Sequence, residues 1–324
     1  MRRFFITGAL GFIGRALAER LRAEGTEVRG MDARADRALD VVAGDVSSPG
    51  EWQRAAQGCE VVIHAAAIVS LRAGLRDFHR VNVVGTHNAL QAAVAGGAER
   101  FVQISSVTVF GIDFPDGVRE EDPVRLLGVP YVDTKIAGEQ LVLQAHAEGR
   151  MAVTVVRPGD VYGPGSRPWI VTPLTELRRG RLILPARGRG VHSPIYIDDL
   201  VAGIVAAAAS PTAAGQVITL SCERGVSTGE YFGRIAAIAG CGPVRSAPTG
   251  ALLALTGALA GIERLRGAPG EVNPNSVRYL TRTGTYSIEK AARLLGFAPR
   301  VSLDEGMRRS EEWLREEGML DVRS

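Results

Sequence analysis

Two tyrosine–lysine pairs carry the chemistry this chain is equipped for. Tyr131 and Lys135 stand four residues apart, and so do Tyr286 and Lys290. Those are the only two lysines in a chain with 38 Lys and Arg together, so every other cation of that set is an arginine. On a helix, four residues bring two side chains to one face. A phenol with a pKa of about 10 is a weak acid at neutral pH, and a neighbouring ammonium favours its phenolate. Such a pair suits proton transfer at the oxygen of an alcohol or carbonyl while a hydride moves at the carbon.

Spacing alone does not choose between the pairs, but their surroundings do. Tyr131 opens a predicted helix between two predicted strands, and Ser106 ends the strand before it at the carboxyl edge, where open sheets bind ligands. Tyr286 precedes the apolar stripe Ala291-Ala292-Arg293-Leu294-Leu295-Gly296 in a late helical region, a pattern of packing. Tyr131 is therefore expected to act, and Tyr286 to be structural.

The elements that must hold Tyr131 follow from the pattern of apolar runs. Short runs at 3–7, 27–31, 40–43, 60–64, 100–105 and 152–157 read as strands. Helical patterns at 12–24, 50–57, 74–96 and 131–148 alternate with them, predicting an α/β fold with a doubly wound parallel sheet. Ser48-Pro49-Gly50-Glu51 looks like a capping box opening the second helix. Beyond Pro158 the regularity breaks. A strand and helix at 194–209 look like a return to the sheet, 216–220 like a further strand, and the tail from Ser227 is mostly helical, with turns at 240–243 and 267–274. The expected organisation is a Rossmann-type dinucleotide-binding domain over 1–162, rejoined by 192–225, with 163–191 and 226–324 forming a smaller substrate lobe.

The first strand runs directly into Thr7-Gly8-Ala9-Leu10-Gly11-Phe12-Ile13-Gly14 and a helix. Here Gly8 would make the tight turn, Gly11 admit a pyrophosphate to the backbone, and Gly14 allow close packing, with the helix N-terminus facing the phosphates. Asp32 ends the second strand, where a carboxylate accepts both ribose hydroxyls and repels a 2′-phosphate. This favours NAD, with NADP kept open because Arg34 and Arg37 follow. Asp45 ends the third strand beside Val46, placed for an adenine amine or, equally, for a turn.

Together with His64-Ala65-Ala66, Asn82-x-x-Gly85-Thr86, Ser105-Ser106-Val107-Thr108-Val109-Phe110-Gly111, Tyr131-x-x-x-Lys135 and Arg157-Pro158-x-x-x-Tyr162-Gly163-Pro164-Gly165, these motifs resemble the extended short-chain dehydrogenase/reductase family over nearly the whole chain. The resemblance implies that Ser106 hydrogen-bonds the substrate oxygen, that Tyr131 donates and accepts the proton, and that Lys135 lowers the tyrosine pKa and binds the nicotinamide ribose. It further implies cofactor contacts from Gly8, Gly11, Phe12, Ile13, Gly14, Asp32, Asp45, Val46, Ala65 and Ala66. Asn82 would be a polar or structural residue, and Pro158 to Val161 would form the loop beside the carboxamide. Helices near 74–96 and 131–148 resemble the pair that makes a homodimer in this family.

Three chemistries share such a site. A dehydratase is expected to carry acids directly after the serine, where Val107 and Thr108 stand, so that reading is set aside. An epimerase would need cations for a diphosphate, and Arg178, Arg179, Arg181, Arg187 and Arg189 with His192 could supply them or simply form a solvated face. The 3β-hydroxysteroid dehydrogenase-like branch is favoured by the C-terminal pattern, with the apolar run 251–262 followed by 264–271 and 276–285. In that run Leu252, Leu253, Leu255, Leu259 and Ile262 would pack in the core or line an apolar substrate mouth. The expected function is NAD(P)-dependent oxidoreduction of a secondary alcohol or ketone, with a nucleotide-sugar epimerase as the alternative. A cofactor-binding sensor without catalysis would be expected to lack part of the Ser106, Tyr131, Lys135 set.

Composition excludes other classes. A formal charge of +3 is too small for a nucleic-acid or membrane footprint. Cys59, Cys222 and Cys241 are odd in number and widely spaced, which argues against disulfides and zinc and for a reducing cytoplasm. The histidines show no metal spacing. Glycines at 8, 11 and 14 weaken a signal-peptide reading of the N-terminus, and the apolar stretch 250–262 is too short to span a bilayer. The expected partner is a small-molecule substrate.

Overall fold

The computed structural model describes residues 2–69, 74–265 and 274–320. Strands β1 (Arg3–Thr7), β2 (Glu27–Asp32), β3 (Val41–Ala43), β4 (Val61–His64), β5 (Arg100–Ile104) and β6 (Ala152–Pro158) are joined by Val217–Leu220 into one seven-stranded sheet. All its pairings are parallel, in the spatial order Val217–Leu220, β6, β5, β4, β1, β2, β3. The chain winds outward from β1 in both directions, so the crevice between β1 and β4 is the switch point where ligands of such sheets bind.

Alternation along the strands builds two cores. Phe4, Ile6, Val61, Ile63, Val102 and Ile104 face the helix α1 (Phe12–Ala23) and the helix Ile197–Ala209 through Leu17, Leu21, Leu200 and Ile204. Phe5, Val62, Phe101, Val153 and Val155 face the opposite way, against Leu90, Ala93, Val142 and Ala145. Those last residues belong to the helical run 75–95 and the helix Pro130–Ala147. Both faces are covered, which is why the strands read as nearly continuous apolar runs.

Three local expectations change. The Ser48–Glu51 capping box does not form: the segment is a 3-10 helix, Glu51–Ala56, where Gln53 Oε1 accepts the Gly50 N–H at 3.2 Å. Ser48 instead presents its carbonyl to the Trp52 indole N–H at 2.9 Å. The strand Pro194–Tyr196 does not rejoin the main sheet but pairs in a separate ribbon with Asp160–Tyr162, although its following helix does cover the sheet. The run 75–95 is one helix interrupted by a π-helical turn at His79–Val84, which turns Asn82 inward. The expected turn at 267–274 and part of the segment 264–271 lie outside the described residues. Among those residues no helix is long and apolar enough to cross a membrane.

Candidate active site

The glycine loop is a backbone cradle. Gly8 has φ +69°, and a Cβ there would sit 2.8 Å from the Ala66 backbone. A Cβ on Gly14 would come within 2.0 Å of the Gly8 carbonyl oxygen, so the helix packs onto the turn itself. The Gly11 N–H donates to that same oxygen at 3.0 Å, and Gly11 caps α1 without a side chain in the way. Phe12 and Ile13 are the first helical residues, and the α1 N-terminus points its free amides into the crevice. Asp32 Oδ2 accepts the Leu10 N–H at 3.0 Å, tying the acid to the loop, and Oδ1 accepts the Ala33 N–H at 2.7 Å.

Asp45 is drawn into a turn. Its Oδ1 accepts from the Ser47 hydroxyl at 2.6 Å and the Ser47 N–H at 2.9 Å, and Oδ2 meets Arg80 Nη1 at 3.1 Å. The Ser47 bonds foremost, and Arg80, hold its carboxyl below the usual range. Val46 is buried; its carbonyl accepts from Asn88 Nδ2 at 2.9 Å.

Behind the cradle runs a buried chain of hydrogen bonds whose directions are fixed. The Ala66 N–H donates to Thr7 Oγ1 at 3.3 Å, and the Thr86 hydroxyl donates to the Asn82 carbonyl at 2.7 Å. His64 lies between the two threonines, with Nδ1 2.6 Å from Thr7 Oγ1 and Nε2 3.1 Å from Thr86 Oγ1. Since the Thr86 proton is already committed, His64 donates from Nε2 and accepts at Nδ1 from Thr7. Burial foremost, with Lys135 adding, pulls its pKa down to about 3, so the ring is neutral. The Asn82 side chain accepts the Ile68 N–H at 2.8 Å and donates to Thr134 Oγ1 at 3.2 Å, linking the segment after Ala65 and Ala66 to the Tyr131 helix.

Ser106, Tyr131 and Lys135 come together at the carboxyl end of β5. Ser106 caps the turn Val107–Phe110, its Oγ accepting from the Thr108 N–H at 3.2 Å and the Thr108 hydroxyl at 3.0 Å, which leaves the serine proton for another acceptor. Burial pushes the Tyr131 phenol above its ordinary pKa, against a hydrogen bond with Ser106. Lys135 Nζ lies 5.9 Å from the tyrosine ring centroid and donates to the Ile104 carbonyl at 2.9 Å. Burial brings its pKa down to about 8, against the pull of Glu139. In this geometry the lysine bonds the strand end, and burial is the larger influence on the phenol.

Pro158 ends β6 beside the site, and Val161 lies in the short ribbon two residues past Gly159, whose N–H donates to the Leu220 carbonyl at 2.8 Å. Sequence reading missed what anchors this segment. Asp160 Oδ2 accepts from Arg282 Nη2 at 2.9 Å and the Ser193 N–H at 3.0 Å, lies 3.1 Å from His192 Nδ1, and Oδ1 accepts from the Tyr279 hydroxyl. Burial works to raise the Asp160 carboxyl, and Arg282 with His192 outweighs it. No spacing signals this contact, because Arg282 and Asp160 come from distant segments.

Tyr286 stands apart from the site. Its ring stacks on Phe114 at 5.0 Å, its hydroxyl accepts from Arg282 Nη1 at 2.8 Å, and Lys290 Nζ pairs with Glu121 at 3.0 Å. The arginine cluster is dispersed. Arg178 donates to the Met319 carbonyl, Arg179 and Arg181 pair with Glu176, and His192 is buried at Asp160. Arg187 and Arg189 remain together, lining a cavity of about 600 Å³ with Thr249. Of the apolar run, Leu252 is buried, whereas Leu255, Leu259 and Ile262 are exposed along one side of the helix Thr249–Leu265, so core packing does not account for those three.

A doubly wound parallel sheet with a glycine cradle at its switch point and a Ser, Tyr, Lys set at the next strand end defines a dinucleotide-dependent oxidoreductase. Residues 4–220 match the NAD dependent epimerase/dehydratase family, and the chain belongs to it. It is 28% identical over 331 residues to the 2-alkyl-3-oxoalkanoate reductase of Stenotrophomonas maltophilia (strain K279a), covering 95% of this chain and 98% of the relative. It is 27% identical over 334 residues to the 3-beta-hydroxysteroid dehydrogenase of Mycolicibacterium neoaurum, covering 94% and 89%. The structure of MoeE5 in complex with UDP-glucuronic acid and NAD superposes with a TM-score of 0.79 at 27% identity, over 97% of this chain and 99% of that one. The protein is an enzyme of the extended short-chain dehydrogenase/reductase type that uses NAD. The cradle fits that cofactor: Gly8 and Gly14 let the turn pack tightly against the Ala66 backbone and α1, Gly11 leaves the α1 N-terminus without a side chain, and Asp32 is fixed by the loop with acceptor capacity left over.

Proposed function

We propose that this enzyme transfers a hydride between NAD and a secondary alcohol or ketone of the β-oxo acid or hydroxysteroid type, with Tyr131 as the general acid and base. The observation that carries this reading is the convergence of Ser106, the partly buried Tyr131 and Lys135 at the carboxyl end of β5. When bound, NAD supplies or takes up the hydride. Gly8, Gly11, Phe12, Ile13 and Gly14 would hold its pyrophosphate, Asp32 the adenosine ribose, Asp45 and Val46 the adenine side, and Ala65, Ala66 and Asn82 the next stretch. Lys135 would reach the nicotinamide ribose, and Pro158 and Val161 the carboxamide.

When substrate enters, Ser106 turns its hydroxyl proton from the phenol to the substrate oxygen and so fixes that oxygen beside Tyr131. As charge builds on that oxygen during reduction, Tyr131 gives up its proton, and a phenol raised in pKa by burial is protonated and ready at neutral pH. In oxidation the Tyr131 phenolate oxygen takes the proton from the alcohol. Segments 163–191 and 226–324 would form the substrate lobe, with exposed Leu255, Leu259 and Ile262 offering an apolar approach. The helices 75–95 and Pro130–Ala147 would pair in a homodimer, which light scattering tests.

A second reading, nucleotide-sugar epimerisation, is favoured by Arg187 and Arg189 on their cavity and by the likeness to MoeE5. The deciding experiment offers β-oxo acids, hydroxysteroids and nucleotide sugars to the enzyme while following reduced nicotinamide and sugar interconversion together. Net cofactor turnover with an oxo acid or steroid is expected. Epimer formation without it would overturn the dehydrogenase reading.

A further inference from the structure

One buried ion pair beside the site takes no part in the proton transfer described above. Glu139 lies one helical turn past Lys135 and is fully buried. Its oxygens accept hydrogen bonds from Arg157 Nε at 2.9 Å and Nη2 at 2.7 Å. Arg157 precedes Pro158 at the end of β6, and its guanidinium lies 4.7 Å from the Phe110 ring centroid. Phe110 closes the turn that Ser106 caps. One guanidinium therefore touches the helix of Tyr131 and Lys135, the turn of Ser106, and the strand end of Pro158. Stability alone does not account for such a pair, because two buried charges lose much of their attraction to desolvation and apolar residues often serve as well. Arg157 Nη1 is even left buried without a hydrogen-bond partner.

We propose that Glu139 and Arg157 are positioning residues, a neutral pair that keeps these three segments in register and balances the charge around Lys135. The proposal rests on the reading of Tyr131 as the acid and base. The groups packed around Lys135 leave the field to this pair. On β4, His64 is neutral; the turn Val107–Phe110 has no titratable side chain; and Arg76, Asp77, His79, Arg80 and His87 of the 75–95 run are all exposed. Glu139, one turn along the helix from Lys135, and Arg157, its partner from β6, are the buried charges that remain. Consistently, Glu139 favours the Lys135 ammonium against the opposing effect of burial.

The test is the pH dependence of kcat in Glu139→Gln, Arg157→Gln and the double variant. Removing the carboxylate leaves Arg157 uncompensated, so Tyr131 and Lys135 both release protons more easily. Both limbs of the profile should then move down by about half a pH unit or more. Removing the guanidinium should move them up by a similar amount, and the double variant should return towards the parent. Shifts of the same sign, or none, in variants whose circular dichroism is intact would overturn the proposal. If neither glutamine variant folds, Glu139→Asp and Arg157→Lys keep the charges and disturb position only. They should lower kcat about tenfold, in line with the sensitivity of proton transfer to misplacement, with the limbs and NADH affinity unmoved; unchanged kcat would overturn it. Tyr131→Phe separates the two claims. Activity retained there sinks the function itself, whereas a dead Tyr131→Phe together with unmoved limbs in the folded glutamine variants sinks only the role of the pair.

Discussion

Lys135 shares a helix face with Tyr131, yet its ammonium donates to the Ile104 carbonyl and stands 5.9 Å from the tyrosine ring. The lysine thereby fastens the helix to the end of β5, the strand that delivers Ser106. The phenol is left to the opposed effects of burial and the Ser106 hydroxyl, and burial prevails. The phenol is thereby kept in its protonated form at neutral pH.

Replacing Tyr131 with phenylalanine removes only the phenolic oxygen. Turnover should fall by about 10²–10⁴, the usual worth of general acid–base catalysis, while NADH still binds. Stopped-flow turnover alongside a fluorescence titration of NADH checks both halves, and near-parental kcat would refute the role of the phenol.

Lys135→Met should abolish turnover and at the same time raise Tm. Burial of the ammonium brings its pKa down to about 8, which means that the charged form is destabilised in the native state, and methionine removes that burden. A lowered Tm would show that the bond to Ile104 outweighs desolvation.

Tyr286→Phe should leave kcat and KM close to the parent values. The Arg282 Nη1 donor would lose its acceptor in a buried place, which costs about 1–3 kcal/mol. A loss of catalysis at unchanged Tm would instead make the Tyr286 and Lys290 pair the functional one.

Asp32→Asn weakens the repulsion of a 2′-phosphate and the acceptor that fixes Leu10. The ratio of NADPH to NADH dissociation constants should move towards NADPH, and NADH binding should weaken. A parent enzyme that already binds NADPH more tightly would overturn the reading of Asp32.

Acid should destabilise the fold through its buried imidazoles. The pKa of His64 is pulled down to about 3 and that of His192 to about 4, chiefly by burial. Between those values and the unfolded pKa of about 6.5, the unfolded chain binds the protons that the native state refuses. Their contribution is therefore complete above pH 6.5 and is lost progressively as the pH falls towards 3. Urea midpoints measured from pH 7.5 downward should show this, with a shallower acid loss in His64→Gln; an identical slope would rule the residue out.

The strand pattern, the glycine spacing and the Tyr131–Lys135 register are local properties, so the sequence by itself determined the doubly wound sheet, the cradle and the residues gathered at its edge. Periodicity carries that information because each face of a helix or strand is set by nearest neighbours in the chain. Tertiary structure alone decided the partners of the charges. Glu139 met Arg157, Asp160 met Arg282, Lys290 met Glu121, and the arginines clustered along the sequence were divided among Glu176, the Met319 carbonyl and one cavity wall. An ion pair depends on which distant segments the fold brings within a few ångströms, and on how dry that place is, and neither is written in local spacing. The two tyrosine–lysine pairs illustrate the division. They are identical in sequence spacing; packing sent one lysine to a buried strand end beside Ser106 and the other to a carboxylate, Glu121, that is largely exposed.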